Sequence, residues 1–171
     1  MAVSRDMFAM WRRPAAVVAR QLAHGPDEAR ALAVLLAGCL LAFASRLPAL
    51  QRAALAAGGE GGGDFLRDAS YAFLGLMILA PLLFYGLAAL GRLAARAFGL
   101  RPSGHGSRLA LFWAWLAAAP AVLLYGLTLG LVGPGPAAQA VGIVWLAAFL
   151  TFWTIGLRVA GEEGRNARPT A

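Results

Sequence analysis

Lysine is missing altogether: the fifteen cations are all arginine, set against eight acids, two histidines and one cysteine. A lone thiol, Cys39, excludes an internal disulfide, and neither His24 nor His105 stands at metal-ligand spacing from it, so no metal or other cofactor is expected. Charge of either sign is scarce, at 13% of residues, while 60% are hydrophobic; soluble domains are nearer a quarter charged. A water-soluble monomer of 171 residues has too little interior to hide that excess.

Three uncharged runs organise the chain: 15 residues from Ala31 to Ser45, 23 from Ala69 to Gly91, and 49 from Leu109 to Leu157. Crossing roughly 30 Å of hydrocarbon takes about twenty apolar residues in a helix. The first run reaches only about 23 Å, so Arg46 is expected to snorkel to the headgroups and let the span continue to Leu50. The third run is too long for one crossing and must reverse at GPGP, Gly133 to Pro136, where prolines remove donors and glycines permit a tight turn. The expected fold is all-α: a polytopic membrane domain over 29–160, with four transmembrane helices at about 31–50, 69–91, 109–132 and 137–157.

The arginines orient these spans. Arg5, Arg12, Arg13, Arg20 and Arg30 precede the first, Arg92, Arg96, Arg101 and Arg108 separate the second and third, and Arg158, Arg165 and Arg168 follow the fourth; only Arg46, Arg52 and Arg67 fall on the other side. The positive-inside rule then puts both termini in the cytoplasm of a bacterial inner membrane, with 161–171 as a cytoplasmic tail. Because they flank spans, the arginines speak for topology and not for a nucleic-acid partner.

Residues 1–25 are a separate cytoplasmic segment. On a helical wheel Val3, Met7, Phe8, Trp11, Val18 and Leu22 fall on one side, and Arg5, Arg12, Arg13 and Arg20 cluster opposite. This predicts an amphipathic interfacial helix, split by Pro14, with Trp11 at headgroup level and the arginines meeting anionic lipid of the inner leaflet. A basic topology anchor without regular structure is the simpler alternative. GGEGGG, residues 58–63, lacks the Gly-Lys-Ser/Thr ending of a phosphate loop and reads as a flexible linker on the outer side. LAGC (36–39) and AFA before Ser45 resemble lipoprotein and signal-peptidase sites, but the apolar stretch ahead of Cys39 is short and the chain beyond is no more polar. Trp113, Trp115 and Trp153 lie near span ends and read as interfacial anchors, with Trp145 deeper.

The second to fourth spans hold no ionisable side chain between their flanks other than tyrosine hydroxyls, which argues against a proton relay, an ion-coupled carrier or a voltage sensor. Both histidines lie in cytoplasmic segments, so an intramembrane serine protease lacks its base, and no enzymatic activity is expected. What these spans do carry is a repeated break. APLLFYGLAALG (80–91) and APAVLLYGLTLG (119–130) place Pro81, Tyr85 and Gly86, and Pro120, Tyr125 and Gly126, near the bilayer midplane. Each proline frees the carbonyl four residues earlier, Met77 or Leu116, and bends the helix; hydroxyls of facing Tyr, Thr or Ser are the expected donors. Gly126 and Gly130 form GxxxG, read as a packing surface within the chain, with dimerisation as the alternative.

The basic N-terminal segment with Trp11 and Pro14, GPDEARAL (25–32), GHGSRLALFWAWLAAAP (104–120) and the GPGP hairpin together resemble the bacterial branch of the Yip1 domain family over residues 8–160. The resemblance implies a small polytopic inner-membrane protein. Eukaryotic relatives engage small Rab-type GTPases in vesicle traffic; their Asp-Leu-Tyr-Gly-Pro signature and fifth span are missing here, so no functional residue is carried over. The expected function is a membrane scaffold or partner-binding subunit, with membrane lipids and a membrane protein or second copy as partners. The alternatives are a small permease or transporter subunit with a site near the proline kinks, and a lipid-organising factor acting through the N-terminal arginines.

Overall fold

The computed structural model describes residues 3–56 and 62–166, and every regular element among them is helical. Two short helices, α1 (Val3–Arg12) and α2 (Pro14–Ala23), are separated where Arg13 leaves helical geometry and Pro14 opens the next helix. A proline in the first turn lacks only a donor that would be unpaired there anyway. After α2, Asp27 accepts the backbone N–H of Arg30 at 3.0 Å and starts α3 (Glu28–Ala56). Next comes a single long helix in three parts: α4 (Gly62–Leu74), a π-helical turn (Gly75–Leu79) and α5 (Ala80–Ala97). Gly99, at φ 79°, ends it; its N–H bonds Arg96 O and the Leu100 N–H bonds Ala95 O, both at 3.0 Å, which satisfies carbonyls the helix leaves open. Ser103 caps α6 (Gly104–Ala117) by accepting the Gly106 N–H at 2.9 Å. α7 (Ala119–Leu131), the Gly133–Gly135 turn and α8 (Pro136–Asn166) complete the bundle.

Three stretches are long and apolar enough to cross a membrane: Glu28–Ala56, Phe65–Ala97 and Pro136–Arg165. α6 and α7 meet the same test only as a pair, bent by 43° at Ala118, which makes three such stretches, or four if the bent pair counts as one. The GPGP segment reverses the chain between α7 and α8, where the sequence places a turn.

α6 is the axis of the bundle. Every residue from Leu109 to Ala114, and again from Leu116 to Ala119, is buried, enclosed by α1, α2, α3, α5 and α8. Lipid tails are as apolar as leucine, so close packing has to supply what the hydrophobic effect supplies in water. Small residues admit it. The GxxxG glycines face α3: a side chain on Gly126 would overlap the backbone of Ser45, and one on Gly130 would overlap Pro48. The motif is thus committed within the chain. Gly38 and Gly91 make room for Trp115 and Trp153 in the same way.

The tryptophans differ from the interfacial anchors expected. Trp113 is buried in the core, and Trp145, Phe149 and Trp153, one face of α8, form a stacked column that meets Trp115 edge-on. Phe84 of α5 closes that column against Trp115 with ring centroids 4.8 Å apart. Four-residue spacing along α8 aligns the rings, and bulk drives them inward. Outward-facing positions go instead to aliphatic residues such as Ile78, Leu82, Leu90, Leu131 and Ile143, all more than 60% exposed.

Gly86 takes no part in the packing expected of it, since a side chain there would meet nothing within 4 Å. Gly126→Leu should therefore lower the melting temperature of detergent-solubilised protein by several degrees, an overpacking cost of about 1–3 kcal/mol or more. Gly86→Leu should leave it within a degree or so of wild type; equal effects in a thermal melt would contradict the α3–α7 packing.

A candidate ligand cavity between two helix breaks

The two prolines resolve the same deficit differently. Pro81 cannot donate to Met77 O, yet the helix does not break there: it widens into the π-helical turn, where the Ala80 N–H reaches Gly75 O five residues back. At Pro81 the interruption expected from the sequence takes the form of this wide turn inside one continuous helix, Phe65–Ala97. Pro120 does break its helix. The N–H groups of Ala121 and Val122 both turn to Ala118 O, at 3.1 and 3.2 Å, which leaves the Ala117 carbonyl without its usual partner. The indole N–H of Trp11 donates to it at 2.9 Å.

The open carbonyl is thus Ala117 and not the Leu116 expected from sequence, and an indole takes the place of the hydroxyl donors anticipated there. Ser45, Thr128, Thr151 and Thr154 each return their hydroxyl to a carbonyl of their own helix, at 2.7–2.9 Å. Trp11 also sets its ring edge-on to Phe152, centroids 5.2 Å apart, and stays 45% exposed. Around it the apolar face of the N-terminal segment packs on protein: Met10, Val17 and Val18 are buried against α6 and α8. The sequence reading set that face against lipid. Of the arginines, Arg12 and Arg13 are exposed at the α1–α2 elbow, and Arg20 pairs with Asp6, which also accepts from Gln21 at 2.9 Å. Arg5 lies on α1, but its side chain, like that of Phe8, falls outside the described residues, as do residues 57–61, and 167–171 of the tail; of the GGEGGG stretch, Gly62 and Gly63 open α4.

Between the breaks lies a cavity of about 580 Å³, bounded by α3, the π-helical turn, α7 and α8. Leu76 reaches it from the π turn, Val122 and Tyr125 from just beyond Pro120, Trp115 and Trp145 from the aromatic column, and Ser45 and Arg46 from α3. Gly126 lines it as well, while Gly130, one turn on, holds α7 against Pro48. Neither Pro81 nor Pro120 lines the cavity itself. The two Pro–Tyr–Gly stretches part company here: Tyr125 is a wall of the cavity beside Gly142, whereas Tyr85 lies at the other end of α3 and donates its hydroxyl to Glu28 at 2.7 Å.

Arg46 is the one charge on the cavity wall, and among the described residues it has no ion-pair or hydrogen-bond partner. Arg46 is itself exposed, so its head is free to reach outward, as the snorkelling expected from the sequence requires, while its stem borders the cavity. Arg52, two turns on, is committed elsewhere: it caps the Gly130 and Leu131 carbonyls of α7 at 3.3 and 3.0 Å. Walls of leucine, alanine and indole with one unpaired cation suit a molecule that has both a hydrocarbon part and an acceptor-rich head.

A polar hub that the sequence did not signal ties the opposite end together. Glu28, in the first turn of α3 ahead of the apolar run, accepts from Arg108 Nη2 and Tyr85 Oη, both at 2.7 Å, and stands 3.6 Å from His105 Nδ1. Arg108 also lies over the Tyr85 ring, 5.7 Å from its centroid. The Arg108 hydrogen bond, then that of Tyr85, holds the Glu28 carboxyl down to about 2. Among the described residues no group of three His, Cys, Asp or Glu side chains could hold a metal ion.

No family model, curated protein or solved structure matches this chain.

Two outcomes test this geometry. Trp11→Phe keeps the ring and removes the donor, so it should destabilise by about 1–3 kcal/mol, the usual cost of leaving a buried carbonyl unpaired; an unchanged melt would show that the break needs no donor from α1. Because the Glu28 carboxyl sits below its unfolded value, its contribution is present at neutral pH and fades as pH falls from the ordinary carboxylate range toward 2. Thermal stability should accordingly drop over that range more steeply in wild type than in Glu28→Gln.

Proposed function

We propose that the chain is a non-enzymatic, ligand-binding membrane subunit of the permease type, which holds an amphiphilic molecule in the cavity between the two helix breaks. It crosses the bacterial inner membrane four times with both termini cytoplasmic. The uneven distribution of arginines supports that orientation, and the three long apolar helices with the bent α6–α7 pair support the number of crossings. The resemblance to Yip1 domain proteins belongs to this reading and rests on the residues that suggest it, from Trp11 and Pro14 to the GPGP hairpin.

The observation that carries the reading is Arg46 on the wall of a 580 Å³ cavity with no carboxylate to neutralise it. Helix interruptions in membrane proteins expose backbone and open space where ligands sit, and an ionisable group beside such a space marks a functional position. A scaffold reading draws on the exposed apolar face of the π turn and α5, which includes Ile78, Leu82 and Leu93. Lipid tails solvate such a face as well as a partner would, so the cavity separates the two readings.

Ala49 lines the cavity, and Ala49→Trp should fill part of it from a position where a larger side chain meets open space. Wild-type protein purified in mild detergent should carry a co-purifying amphiphile, detected by mass spectrometry of the extract, and the variant should lose about tenfold of it, with Arg46→Gln intermediate. Retention of the same molecule by a folded Ala49→Trp protein would reject the site. Recovery of a stoichiometric protein partner and no amphiphile would favour the scaffold.

A further inference from the structure

A second cavity, of about 260 Å³, opens at the end of the bundle that holds the Glu28 hub, and its lining is basic: Arg92 and Arg96 of α5 and Arg108 of α6, with Tyr85, Leu93 and Gly104 completing it. We infer that this pocket binds a phosphate group, carried either by an anionic phospholipid or by a soluble phosphate.

The geometry concentrates positive charge on one point. A methyl group built on Gly104 would lie 3.4 Å from Arg92 Nη1 and 3.6 Å from Arg108 Nη1, so two guanidinium groups approach the same small residue from different helices. Arg92 and Arg96 are four residues apart on α5, a spacing at which like charges oppose helix formation. Only one of the three cations is neutralised. Glu28 takes Arg108 Nη2, and Arg108 Nε remains buried with no partner; Arg92 donates Nε to the uncharged Pro102 carbonyl at 3.3 Å; Arg96 has no ion pair or hydrogen bond among the described residues. The pocket therefore keeps two uncompensated charges, which an anion with several oxygens satisfies better than a single carboxylate would.

Two further features favour phosphate. α6 begins at Gly104, which lines the pocket, so the positive end of its dipole lies beside the arginines. Leu93 and Ala89 line the pocket beside the charges, and Leu93 is 65% exposed on the apolar surface of α5, the arrangement expected where a headgroup and the start of an acyl chain are held together. Topology alone requires arginines at this end of the helices, but not that three of them converge on one cavity.

The test uses the full-length protein in nanodiscs. In one arm, phosphatidylcholine discs are doped with phosphatidylglycerol, and the lipid retained on the released protein is identified by native mass spectrometry. In the other, inorganic phosphate is titrated into discs of phosphatidylcholine alone. Selective retention of phosphatidylglycerol assigns the site to a lipid headgroup; saturable binding of inorganic phosphate without it assigns the site to a soluble phosphate. Whichever arm responds should weaken at least about fivefold in Arg96→Gln, which removes no internal partner, and further in the Arg92→Gln/Arg96→Gln protein. Arg101→Gln, which removes an exposed arginine outside the pocket, and Ala49→Trp, which alters only the other cavity, should bind as wild type. The inference is overturned if neither arm responds, if the glutamine variants bind as wild type does, or if Arg101→Gln loses as much as Arg96→Gln, since binding would then follow net charge alone. Loss of the amphiphile in Ala49→Trp with phosphate binding intact would leave the two sites independent, so either can fail without the other.

Discussion

Hydrocarbon offers no hydrogen bonds, so each backbone group inside the bilayer has to find its partner within the protein. Two prolines in apolar helices set that requirement most sharply, and the bundle answers it in two ways. Pro81 lies on a helix whose neighbouring side chains, Leu82 and Leu83, point outward and bring no donor. There the ladder corrects itself by widening into a π turn. Pro120 opens a helix that follows directly on the most enclosed one in the molecule, and the vacancy at Ala117 is filled from a distance, by an indole 106 residues away in the chain. Exposure decides which remedy is open: an isolated helix has only its own backbone, whereas a surrounded one can borrow a donor.

The break at Ala118 also divides the bundle into a closed end and an open end. Below it α6 is enclosed on all sides, with α1 and α2 covering the face that the spans leave bare. Beyond it the 43° bend carries α7 against α3, close enough that only glycine fits opposite Ser45 and Pro48. Beside that contact, the space left between α3, α7, the π turn and α8 is the larger cavity. The cavity therefore follows from the proline and the glycines acting together. Without the bend α7 would continue along α6, and without Gly126 it could not lean far enough.

Much of this architecture was legible in the residues themselves. The long apolar helices, the GPGP reversal, the interruption before Pro120 and the inward use of GxxxG follow from local composition and helical spacing, which act over a few turns. What was hidden depends on contacts far apart in sequence. Nothing around Trp11 says that its N–H will meet Ala117 O, and nothing around Glu28 announces Arg108, 80 residues on. The tryptophans were misplaced for a related reason: indoles near span ends are compatible with headgroups, but Gly38 and Gly91 on other helices had already made room for them inside. The arginines were counted for their side of the membrane, which conceals convergence. The four-residue spacing of Arg92 and Arg96, with Arg108 opening the next helix, was the available signal, because like charges on one helical face ask for a counter-ion.

α3 is the element that both cavities share a connection to. Its first turn holds Glu28, whose carboxylate positions Tyr85 and Arg108 at the rim of the basic pocket, and its later turns supply Ser45 and Arg46 to the other. Eighteen residues of helix separate Glu28 from Arg46, about 27 Å. A helix of that length moves as a rod, but this one is not free to slide. Ser45 and Pro48 lie against glycines of α7 with no space for a methyl group, and Gly38 is seated on the Trp115 ring, so a small translation would meet backbone before it met any flexible side chain. Close-packed contacts of this kind permit discrete arrangements and resist gradual ones. The glycine contacts thus fix the spacing between the two charged positions.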